Sequence, residues 1–199
     1  MGSCFIAIKK LVFIVSTATL LFIHANTYSS TSPAGKITYP KGWILPIEGS
    51  QLPTAKRLLP AAPRPYRNGI HEGIDFYTSN GRALKKGHSV RAVEDGEIIR
   101  IDRHYDTSRL RNLLENKNNF TKDESLDIYR GMQVWIRHND GIVSRYSHLD
   151  STEPFNKGDC VCKGEKIGSA GNSGTPSSLR TPPGAIHLHF EIRIGDEYL

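Results

Sequence analysis

The chain has 199 residues, 38% of them hydrophobic and 23% charged, which excludes a disordered, collagen-like or coiled-coil protein and leaves room for one ordinary domain. Lys and Arg outnumber Asp and Glu by 26 to 20, and the formal charge of +6 suits an anionic partner: a nucleic acid, an anionic membrane or an anionic wall polymer. Three cysteines are too few for a disulfide scaffold or a four-cysteine metal ribbon, so the eight histidines are the residues to follow.

Lys9 and Lys10 precede an apolar stretch from Leu11 to Ile23, and a polar run begins at Asn26. A membrane-spanning helix needs about 20 apolar residues, so this stretch is short for an anchor and no stable membrane span is expected. It reads as a signal peptide over residues 1–25, cut after Ala25. Its removal takes two lysines and no acidic residue, lowering +6 to +4. Residues 26–65 are expected to be a linker followed by an extended, proline-rich lead-in segment that packs on the domain.

From residue 66 to 199, short β-like runs alternate with turns. Ser89–Val93, Glu97–Asp102, Met132–Arg137, Ile142–Ser147 and Ile186–Ile194 read as strands, and Asp95-Gly96 and Asp140-Gly141 as turns between them. The expected fold is mainly β, a compact antiparallel sheet or small barrel-like domain. Residues 105–130 break the rhythm: Leu110, Leu113 and Leu114 make a helical stripe, with Ser108 as a candidate cap. The block reads as a helical insertion.

The histidines cluster in three places. His187 and His189 are two apart, so on a strand both imidazoles share a face while Leu188 and Phe190 take the other. His71 and Asp75, spaced by four, share a face if extended, with Gly73 between them leaving space for a close neighbour. Two imidazoles and one carboxylate are a catalytic zinc set with a fourth position open. His148 ends the Ile142–Ser147 run and is either a third nitrogen ligand or a base beside the metal. Glu72 alternates to the opposite face and reads as solvated. His88, His104 and His138 have no partner at metal spacing and read as surface residues.

In this order and at these distances, His71-x-x-x-Asp75, Tyr146-x-His148 and His187-x-His189-Phe-Glu resemble the lysostaphin/LytM family of zinc endopeptidases that hydrolyse peptidoglycan. The stretches Gly87–Gly96 and Lys157–Gly168 resemble it too, and the likeness runs from about Arg67 to Ile194. The resemblance implies one zinc per chain held by His71, Asp75 and His189, with His187 and His148 as the non-ligand pair. It implies peptidoglycan as partner; the signal peptide implies export to the periplasm, envelope or surroundings of a bacterium, and a monomer is expected. The 105–130 insertion exceeds the family's usual connection and is placed to overhang the groove.

Other chemistries are not supported. Gly168–Gly174 lacks the Lys-Ser/Thr of a phosphate loop, and there is no Gly-x-Ser-x-Gly elbow. The basic residues are scattered without interleaved aromatics, so no nucleic-acid partner is expected. Cys160 and Cys162 read as small buried side chains. The alternative function is a non-catalytic wall-binding activator of a separate amidase, which would not need the metal ligands present here.

Overall fold

The computed structural model describes residues 41–65, 69–181, 184–194 and 197–198. The expected signal peptide and most of the expected linker lie outside them. The strands are, in chain order, β1 (Pro63–Arg64), β2 (Gly69–Ile70), β3 (Ile74–Phe76), β4 (Thr78–Ser79), β5 (Arg82–Ala83), β6 (Ser89–Arg91) and β7 (Gly96–Ile101). After the helices α1 (Thr107–Glu115) and α2 (Lys122–Arg130) come β8 (Val134–Arg137), β9 (Ile142–Ser147), β10 (Leu149–Thr152), β11 (Cys160–Val161), β12 (Lys166–Ala170), β13 (Leu188–Ile194) and β14 (Glu197–Tyr198).

The principal sheet has the order β11-β7-β8-β9-β13-β14, with β3 paired to the free half of the β13 edge; a second sheet has the order β10-β12-β6. Every pairing is antiparallel. Both sheets contribute to one core: Val134, Ile136, Tyr146, Leu188 and Phe190 from the first, Val90, Leu149, Ile167 and Ala170 from the second. The alternation expected of half-buried strands accounts for this, since even-numbered residues of β8, β9 and β13 face the core.

On β13 the opposite face is buried as well, but it is polar: His189, Glu191 and Arg193 are all less than 9% exposed. On that face His71 meets His189, Arg130 of α2 bonds Glu191, and Arg193 pairs with Glu72. β3 reaches β13 because residue 73 is glycine; a Cβ there would collide with the Phe190 carbonyl oxygen and crowd the His189 ring and Glu191. The lead-in segment packs as expected. Ile44 N–H donates to Val93 O, Arg91 N–H donates to Pro46 O, and Ile47 lies in the core.

Residues 105–130 hold the two helices. Leu110 and Leu113 of α1 meet Ile128 and Tyr129 of α2 in a small cluster of their own. The cap of α1 differs from the expectation: Asp106, not Ser108, is the N-cap, and its carboxylate accepts from Ser108 N–H. α2 begins with a full capping box between Thr121 and Glu124. Three further readings are corrected. His138 is buried, bonded to Asp95 O and Ser144 Oγ, because it continues the inward row of Val134 and Ile136. Cys160 is exposed and Cys162 partly so, and both are free thiols. Glu72 is not solvated but paired with Arg130 and Arg193.

Gly73→Ala should destabilise the protein by about 1–3 kcal/mol, the usual cost of forcing a methyl into a packed site. Gly184→Ala, where an added methyl meets nothing, should stay within about 0.5 kcal/mol of the parent. Urea denaturation of both variants checks the pair, and equal stability would mean β3 does not depend on the missing side chain.

Candidate metal centre

β3 and β13 are in register with Asp75 opposite His189. Directly opposed residues of antiparallel strands share a face, with Cβ atoms about 4.5–5.5 Å apart. His71 enters from the turn before β3, tied by its own N–H to Ala62 O and by its C=O to Ala61 N–H. The result is a triangle of atoms: His71 Nε2 to Asp75 Oδ1 2.9 Å, His189 Nδ1 to Asp75 Oδ1 2.8 Å, and His71 Nε2 to His189 Nδ1 3.0 Å. All three residues are buried.

The far side of each ligand candidate is fixed by a partner. His71 Nδ1 lies 2.9 Å from Leu59 O, and a carbonyl can only accept, so the proton is on Nδ1 and the Nε2 lone pair faces Asp75 and His189. His189 Nε2 donates to Glu191 Oε1 at 3.1 Å. Asp75 Oδ2 accepts from Arg64 at 3.3 Å. Glu191 has no exposed side-chain surface, and it accepts from Arg130 Nε (2.7 Å) and Arg193 Nε (2.6 Å) as well. Burial would raise the Glu191 pKa, but the bond from His189 and the charges of His189, Arg130 and Arg193 hold it well below the carboxylate range. It is a fixed anion behind His189.

Asp75 behaves alike: burial opposes its charge, and the bond from His189 together with the charge of His189 outweighs burial and keeps it ionised. For His189, burial alone would lower the pKa, but its bonds with Asp75 and Glu191 push it up to about 9. The centre thus brings His71 Nε2, Asp75 Oδ1 and His189 Nδ1 within 3.0 Å of one another, and a cation among them, a proton or a metal ion, relieves the repulsion of their lone pairs. One proton on His189 Nδ1 does so in part. A metal ion fits the same place: tetrahedral bonds of 2.0–2.1 Å have edges of about 3.3 Å, slightly wider than this triangle.

The other two histidines stand beside the triangle with a different electrostatic character. His187 Nδ1 donates to Ala185 O at 2.7 Å, and its Nε2 is 3.9 Å from Asp75 Oδ1. Its ring lies flat on Tyr77, with centroids 4.5 Å apart and 7° between planes. His148 Nδ1 donates to Ser173 O at 2.8 Å, and its ring centroid is 4.5 Å from that of His187. His148 holds a left-handed backbone (φ 61°), fixed by its N–H on Arg130 O. Burial lowers the pKa of both, and for His148 the neighbouring His187 and His189 lower it further. Both are therefore neutral near pH 7.

All five candidate residues line a single groove of about 510 Å³. Glu191, Arg130, Arg64, Leu59 and Tyr77 belong to the site without having been singled out from the sequence. Glu191 alone carried a legible signal, since residue 191 must share the face of 187 and 189 on a strand.

Buried imidazoles and a buried carboxylate converging on a groove are a donor set that could hold a metal ion. Residues 69–199 match the model of Peptidase family M23, and the chain belongs to that family. Its structure resembles a zinc-containing peptidase from Vibrio cholerae at 25% identity and a TM-score of 0.52, covering 78% of this chain and 37% of that one. It also resembles the catalytic domain of the antimicrobial peptidase lysostaphin from Staphylococcus simulans (23% identity, TM-score 0.46, 71% of this chain and 80% of that one). A third likeness is to the catalytic domain of the prophage-encoded M23 protein EnpA from Enterococcus faecalis (17%, TM-score 0.44, 81% and 91%). The chain spans little more than a third of the Vibrio peptidase. No curated protein matches it.

Glu191→Gln removes the anion that holds His189 Nε2–H and should weaken metal binding about 10–100-fold, the usual effect of losing such a partner. Competition with a chromophoric chelator reads the affinity. Unchanged affinity in a folded variant would show that Glu191 does not orient His189.

Proposed function

We propose that this protein is a zinc-dependent endopeptidase that hydrolyses peptide bonds in bacterial peptidoglycan, acting after export to the cell envelope. The observation that carries the reading is the convergence, in one groove, of the His71–Asp75–His189 triangle and two neutral histidines. Membership of a peptidase family supports the reaction class. Among the described residues no helix is long and apolar enough to cross a membrane.

In this reading His71 Nε2, an Asp75 oxygen and His189 Nδ1 would hold the metal. When bound, zinc supplies Lewis acidity toward the scissile carbonyl and lowers the pKa of a water from about 15.7 to about 7. The chain must then move protons. His187 and His148 each commit Nδ1–H to a carbonyl, so each offers an Nε2 lone pair to the groove chemistry. His187 is the nearer to the ligand set, held by Tyr77, and takes the proton of the attacking water. It returns that proton to the leaving amine nitrogen. His148 Nε2 cannot donate to an oxyanion while neutral; it does so only after accepting a proton. Asp75 contributes one negative charge, so the site keeps net positive charge against the tetrahedral oxyanion.

The purified protein should hold about one zinc per chain by elemental analysis. Asp75→Ala and His189→Ala should lose it, while His187→Ala should keep it and lose about 10²–10⁴ in activity, the range for a proton-transfer group. Loss of metal from His187→Ala with retention in His189→Ala would overturn the assignment. Incubated with purified sacculi, the protein should release new amino termini and no new reducing ends, and a chelator should stop it. Reducing ends would mean glycan cleavage. A zinc-loaded protein releasing neither would favour the non-catalytic activator of an amidase.

A further inference from the structure

The charges that line the groove are not balanced. Asp75 is paired with Arg64, and Glu72 and Glu191 are both paired with Arg130 and Arg193, so every described acid of the groove is already partnered. Two arginines are left over. Arg57 comes from the 3-10 turn Lys56–Leu58 of the lead-in segment, and Arg180 follows the 3-10 turn Pro176–Leu179 in the loop that leads to β13. Both line the groove that contains the metal-ligand triangle, both are exposed, and neither guanidinium has an acidic partner among the described residues. They reach the groove from two segments far apart in sequence, each next to a segment that fixes a candidate site residue. Leu59, two residues from Arg57, accepts from His71, and Ala185, five from Arg180, accepts from His187.

We infer that Arg57 and Arg180 recognise a free carboxylate on the peptide that lies in the groove. The site is thereby built for peptides that carry a free carboxylate rather than for uncharged ones. The inference rests on the reading of the groove as a peptide-hydrolysing site and names the substrate class within it. The guanidinium fork matches a carboxylate in two parallel hydrogen bonds, which an uncharged carboxamide cannot reproduce. With no free acid in the groove to compete, an incoming carboxylate takes these donors unopposed. Because both arginines are exposed, water and salt weaken the pairing, and the expected discrimination is about three- to thirtyfold, smaller at high ionic strength.

The test uses the full protein and two synthetic stem peptides identical except that the side-chain carboxylate of one is a carboxamide in the other. Affinity for each is read by fluorescence anisotropy in the presence of a chelator, so that binding is seen without turnover. Cleavage of each by the zinc-loaded protein is read separately. The acidic peptide should bind about three- to thirtyfold more tightly, and the Arg57→Gln/Arg180→Gln double variant should bring the ratio to within about twofold. Melting temperature and zinc content of the double variant should match the parent, which separates recognition from folding. Equal binding of the two peptides, or a preference that survives the double substitution, would overturn the inference. A preference in binding with neither peptide cut would leave the carboxylate site standing and count against the peptidase reading. Cleavage of both at equal kcat/KM would do the reverse.

Discussion

The pairing of β3 with β13 is the constraint on which the rest depends. It sets Asp75 opposite His189, and the next residue of β13 on the same face is Glu191. A slip of one residue would turn every side chain on β3 to the other face, sending Asp75 into the apolar core and Phe76 toward the arginines. Two features oppose that slip. Phe76 is 2% exposed and fills the core beside Phe190, while Gly73 lets the chain approach the Phe190 carbonyl. The apolar face of the strands thus fixes the geometry of the polar face.

Around this pair the site is assembled from segments that have little to do with one another in sequence. The lead-in segment supplies Leu59 O to His71 and Arg64 to Asp75. The second helix of the insertion ends at Arg130, whose guanidinium bridges Glu191 and Glu72 and whose carbonyl accepts from His148 N–H. The insertion therefore reaches the metal centre through Glu191, besides lining the groove with Leu126 and Tyr129. Such buried charges carry a desolvation cost that their partners offset only when all are present; removing one partner of a buried pair typically costs about 3–5 kcal/mol. The arrangement trades stability for a single orientation of His189.

Much of this was legible in the sequence wherever it depended on period and spacing. The two-residue step from His187 to His189 follows from strand geometry alone. So does the mainly β fold, with its alternating runs and turn dipeptides. The step from His71 to Asp75 reads as one extended run, whereas His71 in fact sits in the turn before β3. Strand alternation, carried further, would have found Glu191 and would have placed His138 inside, because residues 134, 136 and 138 share a face. What the sequence does not carry is pairing between distant segments. Arg130 lies 61 residues from Glu191 and 58 from Glu72, and Arg64 is 11 residues from Asp75 across a hairpin. Glu72 looks solvated until α2 is placed over it. The stacking of Tyr77 on His187 likewise needs the placement of two segments far apart in sequence.

In the proposed reading the register of β3 on β13 sets Asp75 opposite His189, His71 joins them from the turn before β3 as the third metal ligand, and His187 and His148 stay outside the coordination shell. Diffraction from crystals of the zinc-loaded protein, collected at the zinc absorption edge, tests it directly. One anomalous peak is expected within about 2.0–2.2 Å of His71 Nε2, an Asp75 oxygen and His189 Nδ1, with His187 and His148 beyond bonding distance. A peak bonded instead to the Nε2 atoms of His187 and His148, with Asp75 free of metal, would contradict it.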